Sequence, residues 1–244
     1  MVLVAAVVTG STAPPRTIRI LQMNLCNSGI AGCYTGRAVQ QATALIAAES
    51  PDVVALNEVC RDDVAALGEA VGKAGWTVVS AFHPAPDRRT GQATLCRNGQ
   101  PFGIGLVMRL PRPTQTTTHP GAYPMQDPGD PEERVWLCLA AAGRFTACTT
   151  HLAINPAIAL AQCRHLLSAV ISARPALAAG DFNLRDMREC VPPGYHSRND
   201  EGLQHVVATT GVTLRSGRPI DMAGATDHPA LLVAGALTRD TGHD

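Results

Sequence analysis

The chain has 244 residues, a formal net charge of zero and 16% charged residues, and 45% of its residues are hydrophobic. This composition supports a well-packed core and argues against disorder, which needs low hydrophobicity and high charge. Proteins that hold long nucleic acids through many phosphates usually carry a basic excess, so the balanced charge favours a small or transiently bound substrate.

The first fifteen residues, MVLVAAVVTGSTAPP, are apolar and then small and polar. They resemble the hydrophobic region and tail of a secretion signal, although a positively charged start is missing. Residues 1–15 are therefore expected to be a signal remnant or a leading segment, or simply a first strand. Residues 16–244 are expected to form a single domain, in which no segment is long enough to span a bilayer.

The first half of the chain predicts alternating strands and helices. Residues 16–25, RTIRILQMNL, alternate as a strand does, and residues 35–50 have helical spacing with Thr35 as a plausible cap. Residues 52–59, DVVALNEV, form an apolar run typical of a buried strand. A helix is predicted after this strand, ending at Gly75, and is followed by two strands, 76–82 and 102–109.

The second half begins with residues 111–133, which are rich in Pro, Thr and Gly and predict a long surface loop. Residues 135–152 predict a hairpin that turns near Ala142 and Gly143, and residues 155–174 give the clearest helical pattern. Further strands are predicted at 175–183, 203–209, 211–214 and 229–237. The mixture implies a layered α/β domain.

Eight scattered cysteines, none in a CxxC pair, argue against a zinc ribbon and for disulfides in an oxidising compartment. Folding the predicted hairpin sets Cys138 opposite Cys148 at cross-strand disulfide distance. The short loop CNSGIAGC could close Cys26 to Cys33. The alternative is a set of buried free thiols. If disulfides form, the remaining pairs follow only by elimination, as Cys60–Cys96 and Cys163–Cys190.

Polar residues mark the ends of several predicted strands. Carboxylate and amide oxygens at one sheet edge would suit Mg²⁺ or Mn²⁺ rather than a soft metal, and histidines beside them could shuttle protons or stabilise charge on phosphorus. Each residue alone could instead cap a turn, end a solvated strand or be a structural histidine. Together they predict metal-assisted phosphoester hydrolysis; they are Asn24, Glu58, His151, Asp181, Asn183, Asp227 and His228.

The segment LAAGDFNLR, residues 177–185, shows how one strand end could present two such groups. Gly180 would let the backbone turn without a Cβ. Asp181 and Asn183 are alternate positions of an extended segment and would face the same way, while Phe182 would point into the core.

The motifs MN, NE, TH, GDFN and TDH, in this order from Asn24 to about Val233, resemble the endonuclease/exonuclease/phosphatase superfamily. The resemblance implies an α/β fold of the deoxyribonuclease-I type, a four-layer α/β/β/α sandwich. It also implies a metal site for Mg²⁺ or Mn²⁺ formed by Asn24, Glu58 and Asp227, in which Glu58 would be the main ligand.

The same resemblance implies four catalytic residues. Asp181 would orient or deprotonate the attacking water, and Asn183 would bind the scissile phosphate. His151 would donate to the phosphate or assist the leaving group. His228 would contact the phosphate or act as the base, held by Asp227.

Two further residues are matched to substrate-phosphate binding, Arg109 at the end of GIGLVMR and Gln204. Gln204 stands where the family usually carries an aspartate that polarises the final histidine. A glutamine can orient an imidazole but cannot stabilise its cation as a carboxylate does. Asp221 is another possible partner for His228.

The resemblance thus implies a phosphodiesterase or nuclease that uses a metal-activated water, and the cysteines together with the apolar N-terminal segment favour a secreted protein. Alternatives are a phosphodiesterase or phosphatase of phospholipid headgroups or inositol phosphates and, in another class, an inactive binding module on the same fold. The expected partner is a phosphoester substrate, which could be nucleic acid. Aromatic residues make up only 4% and form no amphipathic segment, so we expect no stable membrane insertion, and we expect a monomer.

Overall fold

The structure, a computed structural model, describes residues 16–72, 76–171 and 175–237. The expected leading segment 1–15 and the predicted helix stop at Gly75 lie outside this part of the chain. The strands of the described part are β1 (Arg16–Asn24), β2 (Val53–Cys60), β3 (Thr77–Pro84), β4 (Phe102–Leu110), β5 (Thr116–Ala122), β6 (Val135–Ala141), β7 (Phe145–His151), β8 (Ala176–Asp181), β9 (His196–Asn199), β10 (Gln204–Ala208), β11 (Val212–Ile220) and β12 (Ala230–Leu237).

The strands form two six-stranded sheets, one in the order β11-β12-β1-β2-β4-β3 and the other in the order β5-β6-β7-β8-β10-β9. Both are mixed. β1 and β2 run parallel, as do β7 and β8, while the other pairs are antiparallel. The carboxyl ends of β1, β2, β7 and β8 meet at one end of the molecule, because Asn24 and Asp181 are in hydrogen-bond contact there.

Three apolar layers hold the sheets and helices together. The sheets face each other across a core that includes Ile20, Leu106 and Leu177. The outer face of the first sheet is covered by α1 (Ala38–Glu49) and α2 (Arg61–Val71). The outer face of the second sheet is covered by α3 (Pro156–His165) and by the chain after β8. The predicted four-layer α/β/β/α sandwich is confirmed.

Most predicted elements are present, with three differences. β5 lies inside the predicted loop 111–133; it contains Pro120, which an edge strand tolerates because one side of the strand needs no hydrogen bonds. The short strand β9 was not predicted. Thr35 is not the cap of α1: the cap is Arg37, and the Thr35 hydroxyl donates to the Ala225 carbonyl instead.

All eight cysteines are paired, which confirms the disulfide prediction and each proposed partner. Cys138 and Cys148 face each other across β6 and β7. Each of the other three pairs fastens at least one segment outside the sheets, and they are Cys26–Cys33, Cys60–Cys96 and Cys163–Cys190. Four disulfides suggest a non-cytosolic, oxidising environment.

The two ends of the sheets differ in their connections. At the end where Asn24 and Asp181 meet, the strands are joined by long segments, and we call this the loop end; its main segments are 25–37, 85–101, 123–134, 182–195 and 221–229. Described connections at the opposite end are short, for example 50–52, 111–115 and 142–144. No helix in the described ranges is long and apolar enough to cross a membrane.

Candidate active site

The polar cluster grows out of the inward faces of the strands. In β1, Ile18 and Ile20 face the core between the sheets, and the same alternation carries Asn24 to the inward side at the strand end. In β8, Leu177 and Ala179 face the same core and the next inward position is Asp181. Strand periodicity therefore aims both side chains into the gap between the sheets at the loop end.

Asn57 ties the two sheets together beneath the cluster, a role that the sequence analysis missed. Its Oδ1 accepts hydrogen bonds from Gln22 Nε2 at 2.6 Å and from the Asp181 backbone N–H at 2.8 Å. Its Nδ2 donates to the Thr150 carbonyl at 2.8 Å. The side chain is fully buried. The sequence did contain a signal for this role, because Asn57 is an amide at an inward position of an otherwise apolar strand.

Glu58 reaches the cluster because β2 bulges at this point. The register with β4 shifts between Leu56 and Val59, and Glu58 has a left-handed φ of 54°. A bulge adds one residue and re-aims the side chain, which simple alternation would have placed with Leu56 on the outer face. Asn24 Nδ2 then donates to Glu58 Oε1 at 2.8 Å.

Asn24 holds two carboxylates at once, since the same Nδ2 also lies 3.1 Å from Asp181 Oδ2. Its Oδ1 accepts the Cys26 backbone N–H at 3.1 Å. Asn24 therefore bridges the carboxylates of Glu58 and Asp181 and sets the distance between them.

The two predicted histidines flank the carboxylates. His151 Nε2 is 4.0 Å from Glu58 Oε1. His228 Nε2 is 3.7 Å from Asp181 Oδ2 and 3.9 Å from Asp227 Oδ1. The predicted group, from five separate parts of the chain, thus meets in one hollow.

Asn183 follows β8 in a left-handed conformation, with a φ of 50°. Its backbone N–H donates to Asp181 Oδ1 at 3.0 Å, and its Nδ2 donates to the Leu152 carbonyl at 2.8 Å. Asn183 therefore lies next to Asp181 and fixes the ends of β7 and β8 against each other. The predicted extended conformation is not found at Asn183, because its backbone is left-handed there. Phe182 is buried, as predicted.

Gly180 is needed for a reason other than the predicted turn. A Cβ at this position would collide with the Thr150 carbonyl oxygen of the neighbouring strand. Only glycine lets β7 and β8 approach this closely just before Asp181.

Burial and charge shift the protonation of the site residues. Burial raises the pKa of Glu58, and the nearby Asp227 and Asp181 raise it further, although the Asn24 hydrogen bond lowers it. Burial, and secondarily Arg134, lowers the pKa of His151 well below its ordinary value. The imidazole is therefore neutral at neutral pH.

A buried ion-pair cluster borders the hollow, and it too was not predicted. Arg134 Nη2 lies 2.7 Å from Asp130 Oδ2, and its Nη1 lies 3.3 Å from Glu132 Oε1. Burial raises the pKa of Glu132 to about 7 against the opposing effect of Arg134. The buried Arg134 guanidinium of this cluster is close enough to lower the pKa of His151.

Gln204 and Arg109 do not take the predicted phosphate-binding positions. Gln204 lies opposite Asp181 in the sheet but is fully buried, and its amide donates to the Pro229 carbonyl. It therefore supports the segment after His228. No described hydrogen bond joins Asp221 to His228; the Asp221 carboxylate accepts the Ala223 N–H.

Arg109, in β4, lies beside the start of β2, whereas Glu58 lies near the end of β2. The Arg109 guanidinium donates to the Ser50 carbonyl at 2.8 Å and stacks over Trp76 at 4.8 Å. The prediction for Arg109 is wrong because β4 runs antiparallel to β2, so that the carboxyl end of β4 points away from the hollow.

The chain matches the model of the Endonuclease/Exonuclease/phosphatase family over residues 24–228. It belongs to that family. The match begins at Asn24 and ends at His228, the first and last residues of the hollow. Members of this family generally hydrolyse phosphoesters and typically depend on a divalent metal. No curated protein sequence matches the chain significantly.

Solved structures of the family share the fold. An endonuclease/exonuclease/phosphatase from Beutenbergia cavernae is 21% identical with a TM-score of 0.68, covering 91% of this chain and 72% of that one. The human Nocturnin catalytic domain with bound sulfate is 18% identical with a TM-score of 0.66, covering 92% and 94%. ANGEL2, a 2′,3′-cyclic phosphatase, is 15% identical with a TM-score of 0.60, covering 91% and 96%.

Proposed function

We propose that this family member is a secreted, divalent-metal-dependent phosphodiester hydrolase of the phosphodiesterase or nuclease type, acting as a single domain over residues 16–244. The observation that carries the proposal is the hollow itself. It collects three carboxylates, of Glu58, Asp181 and Asp227, whose mutual repulsion raises the pKa of Glu58 beyond the effect of burial.

The donor set fits a hard divalent cation. Glu58 and Asp227 would hold it, because both offer carboxylate oxygens and a divalent charge offsets their repulsion. When bound, Mg²⁺ or Mn²⁺ supplies Lewis-acid stabilisation of charge on the phosphate oxygens. Asn24 keeps Glu58 in place through its 2.8 Å hydrogen bond.

Asp181 would act as the general base. Its side chain is buried, one oxygen accepts the Asn183 N–H and the other lies near Asn24 and His228. These contacts fix the carboxylate, so it can accept a proton from a water with little reorganisation.

The reaction is a displacement at phosphorus. The water oxygen forms a new P–O bond as the bond to the leaving alkoxide breaks, the proton lost by the water goes to Asp181, and the alkoxide takes up a proton to leave as the alcohol. Neutral His151 can donate a hydrogen bond to a phosphate oxygen. His228 and Asn183 lie beside Asp181 and would orient the phosphate.

The test is hydrolysis of bis-p-nitrophenyl phosphate, p-nitrophenyl phosphate and plasmid DNA with Mg²⁺ or Mn²⁺, with EDTA controls. We expect turnover of a diester that EDTA abolishes. Asp181→Asn should lower kcat by roughly two to four orders of magnitude, the usual contribution of a general base. Glu58→Gln should chiefly raise the metal concentration needed for half-maximal rate.

The matched control is Asp186→Asn. Asp186 lies on the loop after β8, and its carboxylate contacts only Arg188 among the described residues. Its variant should retain wild-type turnover. A folded wild-type protein with no metal-dependent turnover of any of these substrates would favour an inactive binding module on this fold and would refute the proposal.

A further inference from the structure

The large hydrophobic side chains that are exposed among the described residues all lie at the loop end. Large hydrophobic residues scattered over a surface are ordinary, but their confinement to one end marks an interaction surface. We call this set the apolar rim; its members are Ile30 (65% exposed), Tyr34 (40%), Leu95 (52%), Met125 (48%) and Ile154 (72%).

Sheet topology places each of these residues at the loop end. Ile30 and Tyr34 are in the segment after Asn24, and Ile154 follows His151 by three positions. Leu95 lies between β3 and β4, and Met125 lies between β5 and β6. Because β4 is antiparallel to β2 and β6 is antiparallel to β7, both of these connections lie at the end of Glu58 and His151.

One side of the apolar rim is fastened beside Glu58. The Cys26–Cys33 disulfide closes the segment that carries Ile30. The Cys60–Cys96 disulfide joins Cys96, the residue after Leu95, to Cys60, which is two residues after Glu58. A hydrogen bond of 2.8 Å from the Arg97 N–H to the Ser28 carbonyl joins the two segments.

The other side of the apolar rim is fastened beside His151. Buried Gln162 donates to the Met125 carbonyl at 2.8 Å and accepts the Ala153 N–H at 2.9 Å. The Gln162 side chain thus holds the backbone at both Met125 and Ala153, the residue before Ile154. The rim residues are therefore exposed while their backbones are anchored.

The chemistry of the apolar rim fits a lipid layer. Its members are aliphatic or thioether side chains with one tyrosine, whereas single-stranded nucleic acid is bound by aromatic platforms and a basic groove. Arg97 is exposed beside Leu95, and its guanidinium has no hydrogen bond or ion pair within the described ranges. The Arg97 guanidinium could bind a lipid phosphate while the neighbouring aliphatic side chains enter the acyl chains, which is the arrangement expected at the boundary between headgroups and acyl chains.

We propose that the apolar rim docks the protein on a phospholipid layer, and that the hollow takes its phosphodiester substrate from the headgroups of that layer. The inference rests on the proposed function for the chemistry, but the docking itself does not. With the rim inserted, the headgroups of the layer would face the loop end, which also carries the polar hollow. The contact is peripheral and needs no spanning segment.

The test uses vesicles of phosphatidylcholine, alone and mixed with phosphatidylserine, in sedimentation assays. Wild-type protein should sediment with both, more with the mixture because of Arg97, and should release water-soluble phosphate esters from them. The double variant Ile30→Asp with Ile154→Asp should lose vesicle binding by at least about tenfold while keeping bis-p-nitrophenyl phosphate turnover within about twofold. The double variant Ser168→Asp with Ala169→Asp adds the same two charges at exposed positions of the helical segment after α3 and should change neither.

The outcomes separate the two proposals. Turnover of bis-p-nitrophenyl phosphate without vesicle binding would overturn the lipid inference and leave the proposed function intact. Equal vesicle binding by wild-type protein and the double variant would also overturn it, as would loss of plasmid DNA cleavage in the double variant. Vesicle binding that depends on the rim, without any turnover, would support docking and refute the proposed function.

Discussion

Replacing Asn57 by alanine tests whether one buried amide holds together both sheets and Asp181, the proposed general base. The change removes three hydrogen bonds, to Gln22, to the Thr150 carbonyl and to the Asp181 N–H. Each lost buried bond costs about 1 kcal/mol or more when its partner is left unsatisfied, so the free energy of unfolding should fall by roughly 3 to 5 kcal/mol. The four disulfides should still keep the variant folded.

The assay is urea unfolding combined with diester turnover on the folded variant. Because the backbone of Asp181 loses its anchor, kcat should fall by at least about tenfold, since small misplacements of a reacting group are costly. The control Asn199→Ala removes one exposed hydrogen bond, to the Glu201 N–H, and should cost less than about 0.5 kcal/mol. If Asn57→Ala behaved like this control in both measurements, the view of Asn57 as the tie between the sheets would be wrong.

Three further outcomes are expected. Gly180→Ala should lower both melting temperature and kcat because its methyl group meets the Thr150 carbonyl, whereas Gly32→Ala, with open space around its Cβ, should change neither. Arg109→Ala should lower the melting temperature through lost stacking on Trp76 but leave turnover within about twofold; a large loss of turnover would restore its predicted role in binding the substrate phosphate. The raised pKa of Glu132, about 7, means that the folded state binds its proton more tightly than the unfolded state, so stability should fall as pH rises from about 4.5 to about 7. Glu132→Gln should flatten that slope in thermal melts, and an unchanged slope would assign it to another group.

The sequence predicted the strands and most residues of the hollow because both depend on local patterns, whereas the four-layer arrangement was implied by the resemblance to the family. Apolar alternation marked the strands, and polar residues at strand ends marked where the alternation leaves the core. The inward orientation of Asp181 and Asn24 could be predicted from this alternation alone, because it follows from the strands that carry them.

The remaining features depend on pairing between distant strands. Arg109 also ends a strand, but the sequence does not show that β4 runs antiparallel to β2 and carries it away from Glu58. The bulge that aims Glu58 exists only in the register with β4. The need for Gly180 likewise comes from the carbonyl of a neighbouring strand. Strand direction, register and close approach are properties of two paired strands, so they cannot be predicted from the residue pattern of one strand alone.

The covalent fastening of the loop end has a practical consequence for how this protein is produced. The Cys26–Cys33 sulfurs lie within 4.8 Å of the Glu58 carboxylate, and Cys60 follows the same strand end. Expression in a reducing cytoplasm would leave these tethers open while the hydrogen-bonded sheets could still assemble. Material prepared that way would give a convincing circular dichroism spectrum and a poorly shaped catalytic pocket. Periplasmic export or oxidative refolding should therefore precede any screen for substrates.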